Sequence, residues 1–209
     1  IIPLILQNTY HLGETMTGAV MALDNVLAIF LLPVFGTLSD KVHTKLGRRM
    51  PFIVSGTILA VIFMMLLPMI DNAEKARWGT VESFSNQVIF LAVLFFTLVS
   101  MGLYRSPAVA LMPDVTPNHL RSRANAVINL MGAVGGVYAL IMIKVLVGKG
   151  ETPDYLPLFA SIAAVMAIAV GILVMTIREN KLREEVEKAE AANADTIEEK
   201  AMAEGVEAA

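Results

Sequence analysis

The sequence predicts an all-α membrane protein, because its composition is strongly apolar and its apolar residues fall into long runs. Of its 209 residues, 56% are hydrophobic and 17% are charged, and the mean hydropathy is +0.66. A soluble domain is about half apolar and about a quarter charged. Five of the runs approach or exceed the length of about 20 residues that a helix needs to cross a bilayer. The chain contains no cysteine, which excludes disulfides and cysteine-ligated metals.

The predicted transmembrane bundle covers residues 1–177. Residues 1–6 are apolar but too few to cross a bilayer, so we interpret them as the end of a truncated first helix. The other predicted spans, in chain order, cover residues 16–38, 52–70, 87–112, 124–147 and 158–177. Pro33 is expected to kink the first of these, because proline removes one backbone hydrogen bond. Residues 178–209 are rich in acids and helix formers, and we expect a solvated, partly helical, acidic linker there.

Basic residues in the short loops predict how the bundle is oriented, because they accumulate on the cytoplasmic side. One side carries nine of them and the other side only three. The nine are Lys41, Lys45, Arg48, Arg49, Arg121, Arg123, Arg178, Lys181 and Arg183, and the three are Lys75, Arg77 and Lys149. Residues 36–51, 113–123 and 178–209 are therefore expected to be cytoplasmic in a multi-pass protein of the plasma membrane. Trp78 is expected to anchor one loop at the opposite interface.

A polar island at residues 36–51 separates two of the apolar spans. It contains Gly36, Asp40, Lys41 and the run Gly47-Arg48-Arg49. Glycine permits close helix packing, and an acid at a helix end can pair with a base of the same loop. Two interpretations stand on the residues alone. The island is either a basic loop that only sets topology, or a latch whose ion pairs form in one conformation and break in another.

A second polar segment follows the fourth span, and its Asp114 is expected at the same membrane surface as Asp40. Arg121 and Arg123 lie shortly after it in the chain. These residues are either further members of the latch or caps of helix ends, where acids and bases are common.

Asp24 and Arg105 are charged residues within predicted spans, which makes them candidates for function. Asp24 could instead cap a shorter helix, but that helix would be too short to cross the bilayer. Counted along their helices, the two residues differ in depth, so we expect a shared aqueous cavity rather than a direct ion pair. Asp24 is the candidate for carrying or sensing a coupling proton. Arg105 is the candidate either for binding substrate or for alternating as the partner of Asp24, and Tyr104 is a candidate for binding substrate. Asn129 is a further candidate, although its stripe of small and amide residues also favours helix packing.

The island resembles the loop between the second and third helices of major facilitator superfamily transporters, whose signature is Gly-x-x-x-Asp-Arg/Lys followed by Gly-Arg-Arg/Lys. Here it reads Gly36-Thr-Leu-Ser-Asp40-Lys41 and then Gly47-Arg48-Arg49, with a longer spacing than the commonest form. The spacing and the run Gly-Arg-Arg-x-Pro-Phe are similar to those of sucrose/proton symporters and of glycoside–pentoside–hexuronide symporters. The segment from Tyr104 to Asn129 also resembles the fourth-to-fifth helix junction of that group.

The resemblance implies the N-terminal six-helix half of a twelve-helix transporter, whose missing C-terminal half would be its partner. It implies proton-coupled symport of a sugar or glycoside by alternating access, with the fragment inactive alone. The implied cytoplasmic gate consists of Gly36, Asp40, Lys41, Gly47, Arg48, Arg49, Asp114, Arg121 and Arg123. Sodium-coupled relatives carry two acids in the second helix, where this chain has Ala28 and Leu32, so the proton is the expected coupling ion.

Other functions remain as alternatives. The chain could belong to a facilitator or exporter of another polar solute, or to a six-helix membrane scaffold or sensor whose tail binds a cytosolic partner. The three histidines fall in separate loops without metal-ligand spacing, and no nucleophile–base pattern is present. We therefore expect no enzyme activity, no metal and no cofactor other than the proton. A basic and aromatic patch for nucleic acid is also absent from the sequence.

Overall fold

The computed structural model describes residues 1–42, 44, 46–76, 84–147 and 153–192. Several positions discussed above lie outside these ranges, namely Lys45, Arg77, Trp78, Lys149 and residues 193–209 of the predicted linker.

The described residues are almost entirely helical, which confirms the predicted all-α class. The helices are α1 (Ile2–Asn8), α2 (Glu14–Lys41), α3 (Met50–Lys75), α4 (Phe84–Asp114), α5 (Arg121–Leu146) and α6 (Leu156–Thr176), with a short 3-10 turn at Asn118–Leu120 before α5. Residues 179–192 are also helical and are called α7. Within the described ranges, five helices are long and apolar enough to cross a membrane.

The helices extend beyond the apolar spans expected from the sequence. For example, α3 ends at Lys75 where the apolar run ends at Ile70, and α4 begins at Phe84 and ends at Asp114. An apolar run marks only the part of a helix that avoids water, whereas the backbone hydrogen bonds continue into the polar interface. α2 continues unbroken through Pro33 as far as Lys41.

α3 lies at the centre of the bundle and packs most extensively against α4 and then α6, while α2 packs against α4. α3 approaches α4 closely at Gly56, where an added Cβ would lie 2.8 Å from the backbone nitrogen of Tyr104. At the contact between α2 and α4, a Cβ on Gly102 would lie 3.3 Å from the Leu31 side chain. Glycine therefore sets both interhelical distances, as is usual for packed membrane helices.

The two ends of the bundle differ in charge. The end that carries Asp40, Arg48 and Asp114 is called the basic end, and a small apolar cluster formed by Met50, Ile53 and Leu111 lies beneath it. A larger core towards the opposite end includes Ile5, Leu6, Leu67, Phe90 and Phe159. In contrast, α2 and α5 expose apolar side chains along most of their length, as is expected of helices that face lipid or other membrane helices.

The opposite end contains a buried ion pair in the part of α3 that extends beyond the span predicted at residues 52–70. Asp71 lies in the last part of α3, is fully buried, and accepts a hydrogen bond of 2.5 Å from Lys75 Nζ. Thr9 Oγ1 donates to the other carboxylate oxygen at 2.7 Å. Lys75 also donates to the Pro153 carbonyl at 2.7 Å and lies over the Tyr155 ring. One acid and one base thus join the α1–α2 connection, α3 and the start of α6.

We expect Gly56→Ala to destabilise the protein by about 1–3 kcal/mol, because the methyl group would force α3 and α4 apart. Gly171→Ala in α6 is the matched control, since nothing lies within 4 Å of an added Cβ there. The control should change stability by no more than about 1 kcal/mol. Thermal unfolding of the purified full-length protein in detergent measures both, and equal melting temperatures would contradict the predicted contact.

We expect Asp71→Ala to destabilise the protein by about 3–5 kcal/mol, because it leaves the ammonium group of Lys75 buried without its counter-charge. The pair formed by Glu184 and Lys188 has the same spacing of four residues but is exposed. Glu184→Ala should therefore leave the melting temperature nearly unchanged. The same unfolding measurement tests the pair, and a similar small effect of both substitutions would count against it.

Candidate functional site

Four charged residues form an ion-pair cluster at the basic end, namely Asp40, Arg48, Arg49 and Asp114. Arg49 Nε lies 2.6 Å and Arg48 Nη2 lies 3.1 Å from the same Oδ2 atom of Asp114. Asp40 Oδ1 lies 3.1 Å from Arg49 Nη2 and 3.8 Å from Arg48 Nη2. The cluster joins the C-terminal ends of α2 and α4 through the segment that leads into α3.

The chain adopts a tight turn that brings both arginines to this position. Thr44 and Gly47 exchange two backbone hydrogen bonds of 3.2 and 3.1 Å, and Thr44 Oγ1 adds a third to the Gly47 carbonyl. Gly47 has φ +128°, a conformation that side chains rarely allow. Pro51 stands in the first turn of α3, where its missing N–H costs nothing. The second glycine of the island is therefore required by the backbone.

The members of the cluster differ in burial, and this difference decides which ion pair is the strongest. The side chains of Arg49 and Asp114 are only 8% and 19% exposed, whereas that of Asp40 is 49% exposed. Charges interact more strongly where water is excluded. The contact between Arg49 and Asp114 is therefore the stronger one, and Asp40 is held more loosely. Arg48 Nε is buried without a hydrogen-bond partner among the described residues.

Glu179, the first residue of α7, completes the basic end and was missed by the sequence reasoning. It is fully buried, and its carboxylate accepts hydrogen bonds of 2.9–3.1 Å from the backbone N–H groups of Arg48, Arg49 and Met50. The expectation of a solvated helix therefore does not hold for this residue. The available signal was an acid directly after the last apolar span, on the same side as the basic island.

Three other residues assigned to the gate, Gly36, Lys41 and Arg123, do not belong to the cluster. Gly36 packs against α4, where an added Cβ would lie 3.2 Å from Ser106 Oγ. Ser106 in turn donates a 2.7 Å hydrogen bond to the Leu32 carbonyl. Lys41 is exposed and makes no ion pair with any described residue, and the same is true of Arg123.

Arg121 caps a helix end, which was the alternative left open by the sequence. Its guanidinium donates to the carbonyls of Pro113 at 3.1 Å and Thr116 at 3.3 Å. It also lies 3.7 Å from a carboxylate oxygen of Glu190 in α7. Arg121 thus stabilises the turn after α4 and is not in contact with Asp114.

A cavity of about 300 Å³ lies between α2 and α4, and it brings together three of the four candidates for coupling and substrate binding. Asp24, Tyr104 and Arg105 line it, and the rest of its lining is formed by apolar side chains and Gly102 of the same two helices. Asn129, on the exposed face of α5, does not line this cavity. The two charged residues therefore share one cavity in spite of their different positions along the helices.

Within the described ranges, neither Asp24 nor Arg105 makes an ion pair or a side-chain hydrogen bond. A cavity with one free acid, one free base and one phenol can bind a polar solute by hydrogen bonds. The described residues contain no group of His, Asp and Glu side chains suited to a metal ion.

Comparisons with known proteins find a matching family model and several distant relatives. The family model described as Major Facilitator Superfamily matches residues 1–205. Sucrose transport protein SUT3 of Oryza sativa subsp. japonica is 26% identical over 137 residues, which are 62% of this chain and 27% of the relative. Sucrose transport protein SUC4 of Arabidopsis thaliana is 34% identical over 116 residues, which are 52% of this chain and 22% of the relative.

An uncharacterized symporter of Synechocystis sp. is 24% identical over 144 residues, or 66% of this chain and 25% of the relative. The chain thus spans about a quarter of the length of the curated relatives it matches. No solved structure matches it.

We expect Asp114→Asn to destabilise the protein by about 2–3 kcal/mol, because it removes the charge that both arginines contact at the buried side of the cluster. Asp40→Asn is the matched control and should cost less than about 1 kcal/mol, since Asp40 is half exposed. The melting temperatures of the two full-length variants, measured by thermal unfolding, compare their stabilities. An equal or larger effect of Asp40→Asn would show that the cluster is not centred on Asp114.

Proposed function

The chain belongs to the Major Facilitator Superfamily, a family of transporters and not of enzymes, and on this premise we propose that it is part of a proton-coupled sugar symporter. It is a multi-pass integral membrane protein. It forms the N-terminal half of the transporter, and the second half closes the substrate pathway from the other side. Transport then proceeds by rocking of one half against the other.

One observation carries the proposal, namely that Asp24 and Arg105 line a single cavity without pairing with each other. Charged groups inside a membrane protein are costly and are found mainly where substrates or ions pass. Two relatives are named as sucrose transport proteins, which favours a sugar as the substrate. Arg105 donates hydrogen bonds to sugar hydroxyls, and the Tyr104 ring and hydroxyl contribute the second contact.

Asp24 carries the coupling proton. It stands in the cavity without a permanent counter-charge among the described residues, so protonation does not have to break an ion pair. Ala28 and Leu32, which replace the two acids of the sodium-coupled relatives, line the same cavity with apolar side chains. A sodium ion requires several oxygen ligands, and a single carboxylate is better suited to a proton.

The ion-pair cluster forms the cytoplasmic gate, since it ties α2, α3 and α4 together at the basic end. The basic end faces the cytoplasm because basic loop residues accumulate on that side. Arg49 and Asp114 form the core of the gate, while Asp40 and Arg48 stand at its edge. Gly36 and Gly47 allow the close contacts beneath it.

The test is uptake of labelled sucrose, and then of a panel of other sugars and glycosides, by cells that express the full-length protein. Accumulation should disappear when a protonophore collapses the pH gradient. In Asp24→Asn the accumulation should fall by about tenfold or more, because the proton can no longer be loaded, while exchange of sugar across the membrane at equal pH should persist. Glu14→Gln is the matched control, since Glu14 lies at the exposed start of α2 outside the cavity.

Normal accumulation by Asp24→Asn would overturn the coupling role. Uptake that equilibrates but never accumulates in the unaltered protein would instead identify a facilitator. Loss of both accumulation and exchange in Asp24→Asn would assign Asp24 to substrate binding rather than to coupling.

A further inference from the structure

We propose that Glu179 is a positioning residue for the gate, which orients Arg48 and Arg49 towards Asp114 by holding the backbone at the start of α3. The inference rests on the gate role proposed above and extends it to α7, a segment outside the transmembrane bundle. Glu179 is the one acid of α7 that is fully buried among the described residues.

The residue at the N-cap of α3 makes no side-chain hydrogen bond that would cap the helix. A helix leaves its first N–H groups without partners, and a side chain just before the helix usually accepts from them. Here the residue in that position is Arg49, whose side chain has no acceptor and is committed to the ion pairs. The missing acceptor is supplied by Glu179, which lies 130 residues later in the chain.

The cap by Glu179 holds the backbone of both arginines at once. One carboxylate oxygen of Glu179 accepts from the N–H groups of Arg48 and Arg49, and the other accepts from Arg49 and Met50. Both guanidinium groups must reach the same Oδ2 atom of Asp114, from consecutive residues. Consecutive side chains diverge unless the backbone between them is held in one conformation. Glu179 therefore determines whether the two arginines can converge.

The turn before α3 leaves space for the Glu179 side chain because residue 47 is a glycine. An added Cβ on Gly47 would lie 2.7 Å from the Cβ atom of Glu179, so a larger residue would expel the carboxylate. Asn180 also reaches the turn, since its Nδ2 atom donates to the Thr44 carbonyl at 3.3 Å. The glycine of the island thus has two roles, one in the turn itself and one in the docking of α7.

The other end of α7 contacts the segment after Asp114. A carboxylate oxygen of Glu190 lies 3.3 Å from the backbone nitrogen of Asn118 and 3.7 Å from Arg121. Between these ends, Val186 is 8% exposed. α7 therefore bridges the segment that carries the arginines and the segment that follows their acid. Displacement of α7 would loosen both sides of the gate.

The experiment measures access to the cavity from the cytoplasmic side. The chain has no cysteine, so Ala28→Cys in a full-length background without other cysteines provides a single thiol that lines the cavity. Its rate of reaction with an impermeant maleimide is measured in inside-out vesicles. In this background, Asp114→Asn should raise the rate of reaction by about fivefold or more, which is the lower limit of the changes that conformational coupling usually produces. Glu179→Ala should raise the rate by a similar factor.

The matched control is Glu185→Ala, an exposed acid of the same helix, and it should leave the rate unchanged. The decisive variant is the double substitution of Glu179 and Asp114. If Glu179 acts only through the ion pairs, the double variant should react no faster than Asp114→Asn alone. Additive effects would show a separate, purely structural role. Glu179→Gln, which keeps one acceptor oxygen, should give an intermediate rate and serves if Glu179→Ala does not fold.

The outcomes separate this inference from the proposed function. If Asp114→Asn raises the rate and Glu179→Ala and Glu179→Gln do not, the gate stands and the role of Glu179 is overturned. If Asp114→Asn has no effect, the gate itself is overturned, and the role of Glu179 falls with it. Neither outcome depends on the identity of the sugar or of the coupling ion.

Discussion

The contact between Arg49 and Asp114 is the interaction on which the basic end of the structure depends. A guanidinium with 8% of its surface exposed must be paired, because an unpaired buried charge costs several kcal/mol. Its partner lies at the end of α4, and Asp40, at the end of α2, supplies a second acid. Once these residues are paired, three helix ends meet at one point. The turn through Gly47 and the docking of α7 are both arranged around that point.

The same two helices that end at the cluster also line the cavity, and this links the proposed gate to the proposed coupling site. Asp24 and Asp40 lie on α2, and at 1.5 Å per residue they are about 24 Å apart along the helix. Arg105 and Asp114 lie on α4, about 14 Å apart on the same basis. A hydrogen bond from Ser106 to the Leu32 carbonyl connects the helices between the two sites. A shift of α2 against α4 at the cavity must therefore also change the geometry of the cluster.

Local patterns predicted the helices, the superfamily and the residues of the cavity, because long apolar runs, spacing of charges and isolated charges within spans are all visible in one stretch of chain. The family match confirms the resemblance that was drawn from the island. Glu179 could not be assigned in this way, since its partners are backbone groups 129–131 residues away. Asp71 falls outside the span predicted at residues 52–70 for a similar reason: Thr9, which donates to its carboxylate, lies 62 residues away, although its ion-pair partner Lys75 is only four residues away. Arg121 shows the reverse case, because a base predicted for the gate instead donates to backbone carbonyls at the end of α4.

The ion pairs at the two ends of the bundle differ in which elements they join. At the opposite end the acid and the base lie on the same helix, four residues apart, so no movement between helices can separate Asp71 from Lys75. In the ion-pair cluster at the basic end, each pair joins an arginine just before α3 to an acid at the end of another helix. Such pairs break when helix ends move apart, and Asp40, at 49% exposure, is the partner that water can replace most readily. Movement between helix ends would therefore break ion pairs at the basic end, whereas it would leave the pair of Asp71 and Lys75 intact.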